Sequence, residues 1–284
     1  MQVLNNTPAF NVWTNYSANV NNLRQSMSRL SSGLKIQTAA DDPAGLAISQ
    51  RLRSQASNSA MAEQNIQNAL SFSQTADSWL QKVHDILGRM GELAVSASDG
   101  TKAAGDVTNI NAEFGQMQAE LTRIATSGTY NTVNLFSDGT AGGASPAVTL
   151  QIGPDNNQTF TLATASMLKV TDATTGVGGV LALTVAGAGT GAADATAISA
   201  VNTATDNISS MRASLGARSA RLKVVLAGVT SYESNVRGAE SQVRDVDMAK
   251  EATNFSKYQI LTQVGTAMMA QANVLPQSVL KLIQ

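Results

Sequence analysis

The chain has 284 residues, a net charge of −1, 14% charged and 4% aromatic side chains, and no cysteine. That length holds about one to three domains with a sizeable core. The lack of cysteine excludes disulfides, thiolate nucleophiles and thiolate metal sites, and near-neutrality gives no field for nucleic acid or an acidic membrane.

Trp13, Tyr16, Val20, Leu23, Met27, Leu30 and Leu34 alternate steps of three and four, the period of an amphipathic helix over residues 13–34. Only Arg24 and Arg29 carry charge between Met1 and Lys35. A narrow apolar stripe with neutral flanks is poorly self-supporting and gains stability from packing. Asp41-Asp42-Pro43-Ala44-Gly45 then breaks the helix. Pro43 disfavours helical backbone at Asp42 and suits the first turn of a new helix, with Asp42 as its N-cap.

The next helix is expected to run to about Ser98, with Ile66, Ala69, Ser73, Ala76, Leu80, Val83, Leu87 and Met90 on one face. Ser98-Asp99-Gly100 ends it. A further helix from about Asp106 carries Val107, Ile110, Phe114, Met117, Leu121 and Ile124. Residues 137–197 change character, with Gly and Thr rising and charge falling. Val148, Leu150 and Ile152 alternate, Gly153 to Asn157 turn, and Phe160 and Leu162 alternate, which predicts a β-hairpin near 147–163. Residues 171–193 read as a Gly/Thr-rich loop, with one more short strand at Val180–Val185.

From residue 198 to 246 a heptad runs through Val201, Ile208, Leu215, Leu222, Val229, Val236 and Val243. Its companion positions are Ala204, Met211, Arg218, Val225, Tyr232, Ala239 and Val246. So long a repeat is a coiled-coil seam. At 1.5 Å per residue the helix is on the order of 70 Å long and cannot bury its stripe against itself. With the two middle helices it predicts an elongated three-helix bundle. In the last segment Leu261, Met268, Leu275 and Leu282 recur every seven residues, with Val264, Ala272 and Val279 beside them. Both ends thus carry unpaired seams, and the simplest solution pairs them with each other and with copies from other molecules. The expected fold is mainly α: a long coiled-coil or helical bundle formed by the N- and C-terminal arms, with a small β-hairpin region in the middle.

Chemistry has few footholds. Gly187-Ala188-Gly189-Thr190-Gly191-Ala192 fits a dinucleotide fingerprint, but no further βα units follow to build a parallel sheet. His84, the sole histidine, reads as a surface or flank residue. Asp41 and Asp42 read as a helix cap rather than an acid–base pair, and Met268 with Met269 as seam filling. Neither the common hydrolase nor the nucleotide-binding signatures occur. No catalytic, cofactor or metal site is expected. The N-terminus lacks a basic start before an apolar run, and no apolar run reaches 18 residues, so neither a cleavable signal nor a membrane span is expected. These tests alone predict a soluble cytoplasmic protein.

Two stretches go beyond periodicity. Arg29-Leu30-Ser31-Ser32-Gly33-Leu34-Lys35-Ile36, followed by Ala39-Ala40-Asp41-Asp42-Pro43-Ala44-Gly45-Leu46-Ala47-Ile48, closely resembles the N-terminal signature of bacterial flagellins. Ser214–Arg218, Asp245–Glu251 and Gln271–Leu280 resemble the family's C-terminal blocks. The resemblance covers about residues 1–165 and 195–284, in the family's order.

What it implies is a self-assembling subunit of the flagellar filament, with no enzymatic activity. Residues 1–42 with 243–284 would form the inner helical coiled-coil domain. Residues 43–242 would form the surrounding bundle, with Asp41, Asp42, Pro43 and Gly45 at the interdomain turn. Secretion through the flagellar type III channel without a cleaved signal replaces the cytoplasmic expectation. The family further implies an export chaperone on the C-terminal helix, and hook-junction and filament-cap proteins as partners. Neither nucleic acid nor membrane is implied. Arg89, Leu93 and Glu113 fall where family residues contact a Toll-like innate immune receptor; Leu93 is expected to pack on the bundle, with Arg89 and Glu113 solvated. The short stretch between the conserved arms replaces the large outer domains of many flagellins, which predicts a thin, smooth filament. A hook-junction protein of similar architecture, a flagellin carrying an inserted enzyme and a secreted coiled-coil adhesin are the competing assignments.

Overall fold

The computed structural model describes residues 6–136, 148–162, 180 and 191–283, those at 134, 191–194 and 275–283 by their backbone alone. In chain order the elements are α1 (Thr7–Ser32), α2 (Pro43–Ala97), α3 (Ala104–Ser127), β1 (Thr129–Tyr130), β2 (Val133–Asn134), β3 (Val148–Gln151), β4 (Thr159–Leu162), α4 (Gly191–Arg244) and α5 (Met248–Ile283). The protein is mainly α with a small β region, as its periodicities predict. It divides into two compact units, one of Met1–Ala56 with Ser234–Gln284 and one of Ser57–Glu233. Residues 43–56 and 234–242 therefore group with the terminal arms.

In the first unit, Asn6 opens α1 by accepting from Ala9 N–H with its side chain (3.1 Å). Gly33 closes it with φ 73°, its N–H on the Arg29 carbonyl (2.9 Å). This left-handed stop suits glycine, which carries no Cβ to clash there. The helix thus ends at Gly33, before the Asp41–Gly45 stretch to which the sequence assigns the break. Beyond it Lys35 N–H donates to the Arg244 carbonyl (2.7 Å) and Val246 N–H to the Gly33 carbonyl (3.0 Å), pairing Leu34 with Asp245 as an isolated antiparallel bridge. Asp42 Oδ1 accepts from Gly45 N–H (2.9 Å) and caps α2 at Pro43, as expected. Asp247 caps α5 in the same way, accepting from Ala249 and Lys250 N–H. Helix α5 packs along α1. The pair is antiparallel, because Asn6 meets Ala272, Tyr16 meets Gly265, and Leu34 meets Asp245.

The second unit holds the larger core. Every residue of the expected α2 face, from Ile66 to Met90, is buried. Val107, Phe114, Leu121 and Ile124 of α3 are buried too, with Ile110 and Met117 half-buried. Val201, Ala204, Ile208, Leu215 and Leu222 supply the α4 side of this core. Each fully buried Leu or Ile contributes roughly 1.5–3 kcal/mol relative to exposure. Polar ties cross from α2 to α4 at Ser73 with Ser219 (2.6 Å) and at Arg212 with Asp77 (2.9 Å). The expected α4 seam departs from the structure at its ends. Tyr232 and Ala239 are exposed, α4 stops at Arg244 before Val246, and its first turns extend back to Gly191, into the stretch read as loop.

The predicted hairpin is present. Val148 pairs with Leu162 and Leu150 with Phe160, while Asn157 takes φ 66° in the turn. Phe160 and Leu162 point into the core, and the Arg221 guanidinium lies 5.1 Å from the Phe160 ring centre. A second, smaller hairpin escapes the sequence pattern. Thr129–Tyr130 pairs with Val133–Asn134 around Asn131 (φ 47°) and Thr132 (φ 66°), the positive-φ pair of a type I′ turn. It delivers Leu135 and Phe136, both buried, to the core. Val180, expected in a strand, is instead helical and buried, its carbonyl accepting from Gln118 Nε2 (2.7 Å). The rest of that expected strand, most of the 171–193 loop and residues 187–190 of the glycine-rich motif lie outside the described residues. Among the described residues no helix is long and apolar enough to cross a membrane.

Candidate functional site

The stripes at the two chain ends are only partly covered by each other. On α1, Ser26 is buried and Tyr16, Val20, Leu23, Leu30 and the following Leu34 are half-buried. On α5, Glu251 and Ala272 are buried, and Tyr258, Leu261 and Gly265 half-buried. Gly265 lies close to Tyr16: an added Cβ there would come 3.0 Å from Tyr16 Cδ2. Asn6 Nδ2 donates to the Ala272 carbonyl (3.0 Å) one step further out.

Trp13 and Met27 remain 53% and 55% exposed, and Val264 and Met268 50% and 52%. Their positions follow from helix geometry. Successive side chains turn by about 100°. Trp13 and Met27 stand roughly 50–80° clockwise, viewed from the N-terminus, of the α1 face that meets α5. Val264 and Met268 stand roughly 80–120° to the other side of the α5 face that meets α1. Because the helices run antiparallel, these senses put the two sets on opposite flanks of the pair. The stripes were expected to pair with each other and with copies from other molecules, and within one chain each covers the other along one edge only. A strict seven-residue repeat drifts by about 20° per heptad on a straight helix, so one face cannot keep every stripe residue covered. The side chains of Leu275 and Leu282 lie outside the described residues.

The Asp41–Gly45 turn is a small polar lock. Asp41 Oδ2 accepts from Gln37 N–H (3.2 Å), Thr38 N–H (3.0 Å) and Thr38 Oγ1 (3.1 Å), while Oδ1 accepts from Gln25 Nε2 (3.1 Å) of α1. Arg29 approaches to 3.8 Å. These hydrogen bonds, first that from the Thr38 backbone, hold the Asp41 carboxyl below its ordinary pKa. Asp42 caps α2 while Asp41 ties the turn to α1, so the two carboxylates have separate structural duties. Gly45 is buried, and a Cβ there would collide with the Asp42 carboxylate and approach Ile36 Cδ1 to 2.7 Å. The turn lies inside the first unit, whose boundary on α2 falls at Ala56.

In the second unit Leu93 is buried, Arg89 is exposed and Glu113 half-buried, and the two charged groups are engaged with each other. Arg89 Nε and Nη2 donate to Glu113 Oε1 (2.9 and 2.8 Å), and Nη1 donates to Glu92 Oε2 (2.9 Å). The bond to Glu113 is the chief cause that raises the Arg89 pKa. Arg89 and Glu113 thus make an α2–α3 ion pair, while Leu93, one helical turn from Arg89, is part of the core.

His84 is half-buried, with no hydrogen-bond partner for Nδ1. Among the described residues no three His, Asp or Glu side chains gather to hold a metal. A cleft of about 530 Å³ lies between the β3–β4 turn and α4, lined by Pro154, Asp155, Val225, Val229 and Tyr232 among others. Its walls are mixed and open, and they hold no acid–base pair. What the described residues offer instead is exposed apolar surface on α1 and α5.

Comparison with known proteins agrees with that character. Residues 3–141 match the bacterial flagellin N-terminal helical region, and residues 198–283 the bacterial flagellin C-terminal helical region. A flagellin of Halalkalibacterium halodurans is 37% identical over 288 residues, covering 100% of both chains. The flagellar filament 31.3 kDa core protein of Treponema maltophilum is 36% identical, covering 96% of this chain and 97% of its own. The crystal structure of Bacillus cereus flagellin superposes with a TM-score of 0.50 at 29% identity, over 62% of this chain and 94% of that one. With both terminal regions matched and full-length relatives above a third identical, the chain belongs to the bacterial flagellin family.

Proposed function

We propose that this flagellin polymerises through the two opposite flanks of its α1–α5 pair, the Trp13–Met27 flank of one subunit meeting the Val264–Met268 flank of the next. The family settles the coarser statement: the protein is a structural subunit of the extracellular flagellar filament and not an enzyme. What supports the finer one is that, among the exposed apolar side chains of α1 and α5, Trp13 with Met27 and Val264 with Met268 stand on opposite sides of the helix pair. Two different patches that meet head to tail and do not close on themselves build an open helical polymer. Burial of such side chains drives association. Residues 1–42 with 243–284 are in this reading the inner, assembling part, residues 43–242 the surrounding layer, and Asp41, Asp42, Pro43 and Gly45 the turn between them. With so little chain between the arms, the filament is thin and smooth. Removing residues 1–34 or 258–284 should abolish seeded polymerisation while the middle bundle still melts cooperatively. A truncated protein that polymerised would refute the assignment.

The same reading carries the subunit's route and partners. The chain leaves the cell through the flagellar type III channel, its C-terminal helix held by an export chaperone, and then meets hook-junction and filament-cap proteins. The exposed apolar positions of α5 suit a transient chaperone, since a face awaiting partners needs cover beforehand.

A second reading concerns Arg89, Leu93 and Glu113 as the contact patch for a Toll-like receptor, which senses the monomer. The observation favouring it is that Arg89, exposed, and Glu113, half-buried, form one solvent-accessible ion pair, with Leu93 buried one helical turn from Arg89. Arg89 is already clasped by Glu113 and Glu92, so a receptor must share or replace those bonds. Reporter cells should respond to pure monomer and respond less to Arg89→Ala; an unchanged response to that variant would overturn the assignment.

A further inference from the structure

Among the described residues Met27, Met61, Met248 and Met268 are the exposed methionines, and the chain has no cysteine to intercept an oxidant first. Met27 and Met268 differ from the others in position. Each stands on one of the two apolar flanks of the α1–α5 pair, whereas Met61 belongs to α2 and Met248 opens α5. Met90, in the core of the second unit, is fully buried and serves as an internal reference.

We propose that Met27 and Met268 are redox modification sites whose conversion to methionine sulfoxide stops the subunit from joining a filament, and which the filament in turn shields. The proposal rests on the flank assignment above. The oxidant class is a two-electron oxygen donor such as hydrogen peroxide. The thioether sulfur attacks one peroxide oxygen, an S–O bond forms as the O–O bond breaks, and the departing hydroxide takes the remaining proton and leaves as water. Sulfur is oxidised by two electrons and the peroxide is reduced by two. The product is a polar, chiral group where a flexible apolar one stood. Val264, next to Met268 on its flank, offers it no side-chain donor, and burying an unbonded polar oxygen is costly. Addition of an oxidised subunit should weaken roughly tenfold or more. Reduction by methionine sulfoxide reductases would restore it, which makes the block reversible.

The test uses the full-length chain. Monomer is treated with hydrogen peroxide, its sulfoxides are mapped by peptide mass spectrometry, and seeded polymerisation is followed by light scattering. Treated wild type should elongate at least about tenfold more slowly at unchanged helix content, and recover after reductase treatment. The elongation rate of a Met27→Leu/Met268→Leu variant, taken against that variant's own untreated rate, should not fall on peroxide treatment, while that of Met61→Leu/Met248→Leu falls as the wild type's does. Treated wild type that elongates normally, or a Met27→Leu/Met268→Leu variant that remains sensitive, would overturn the proposal. A second measurement needs no substitution. Met27 and Met268 should oxidise roughly tenfold more slowly in filaments than in monomer, since susceptibility follows exposure, with Met90 slow in both. Equal rates in filament and monomer would also overturn it. Failure of the flank assignment shows separately, as filaments formed by subunits with a lysine at Trp13 or Val264.

Discussion

A few single residues decide local geometry where the surrounding pattern cannot. Gly33 holds φ 73° at the end of α1. Gly33→Ala should lower stability by about 1–2 kcal/mol, the cost of a Cβ in left-handed backbone, read as a fall in the thermal midpoint of the terminal unit. Asp41 gives a pH signature whose sign follows from its lowered pKa. The folded carboxyl gives up its proton more readily than the unfolded one, so its contribution is fully present above the ordinary aspartate pKa. It fades as pH falls through the lower, folded value. Being exposed, the group contributes little in size. Thermal midpoints of wild type and Asp41→Asn should therefore differ near neutrality and converge in acid; a gap that widened in acid would refute the assignment. Asp42 as cap and Pro43 at the first helical position were readable from residue type alone. The role of Asp41 was not, because its partners Gln25, Gln37 and Thr38 are brought to it by the chain's turn.

At the scale of elements, a three-and-four spacing identifies a helix face well and says nothing of what covers it. The α2 stripe from Ile66 to Met90 is buried throughout, because neighbours meet it along its length. The α1 and α5 stripes have the same spacing yet are covered along one edge only. What sets that edge is the close approach of Tyr16 to Gly265, and a glycine inside a helical pattern is the one trace of it in the sequence. The β1–β2 hairpin was invisible for another reason. Its turn is Asn131-Thr132 instead of the common Asn-Gly, and its strands are too short to alternate. A β-branched residue at φ 66° is strained. Thr132→Gly should thus stabilise the second unit by roughly 0.5–1 kcal/mol, seen as a higher thermal midpoint. Leu80, fully buried against α3 and α4, should show the opposite on Leu80→Ala, a loss of about 2–5 kcal/mol by chemical denaturation.

For the whole molecule, the larger unit has its own buried core, while the terminal unit leaves apolar flanks open. A bundle of the first kind is stable by itself, and a helix pair of the second kind gains stability when neighbours cover it. Under the proposed assembly, that division gives the filament subunit a self-supporting body and an adhesive end. It also explains why the sequence carries so little chemistry, with no cysteine and one histidine. In the proposed filament, growth needs both flanks of the α1–α5 pair. That requirement is tested most directly by seeded elongation of two full-length variants, Trp13→Lys and Val264→Lys, followed by electron microscopy, with helix content checked by circular dichroism. Each variant should fold as the wild type does and fail to elongate seeds at concentrations where wild type grows. Normal filaments from either variant at the wild-type concentration would rule out growth through these flanks.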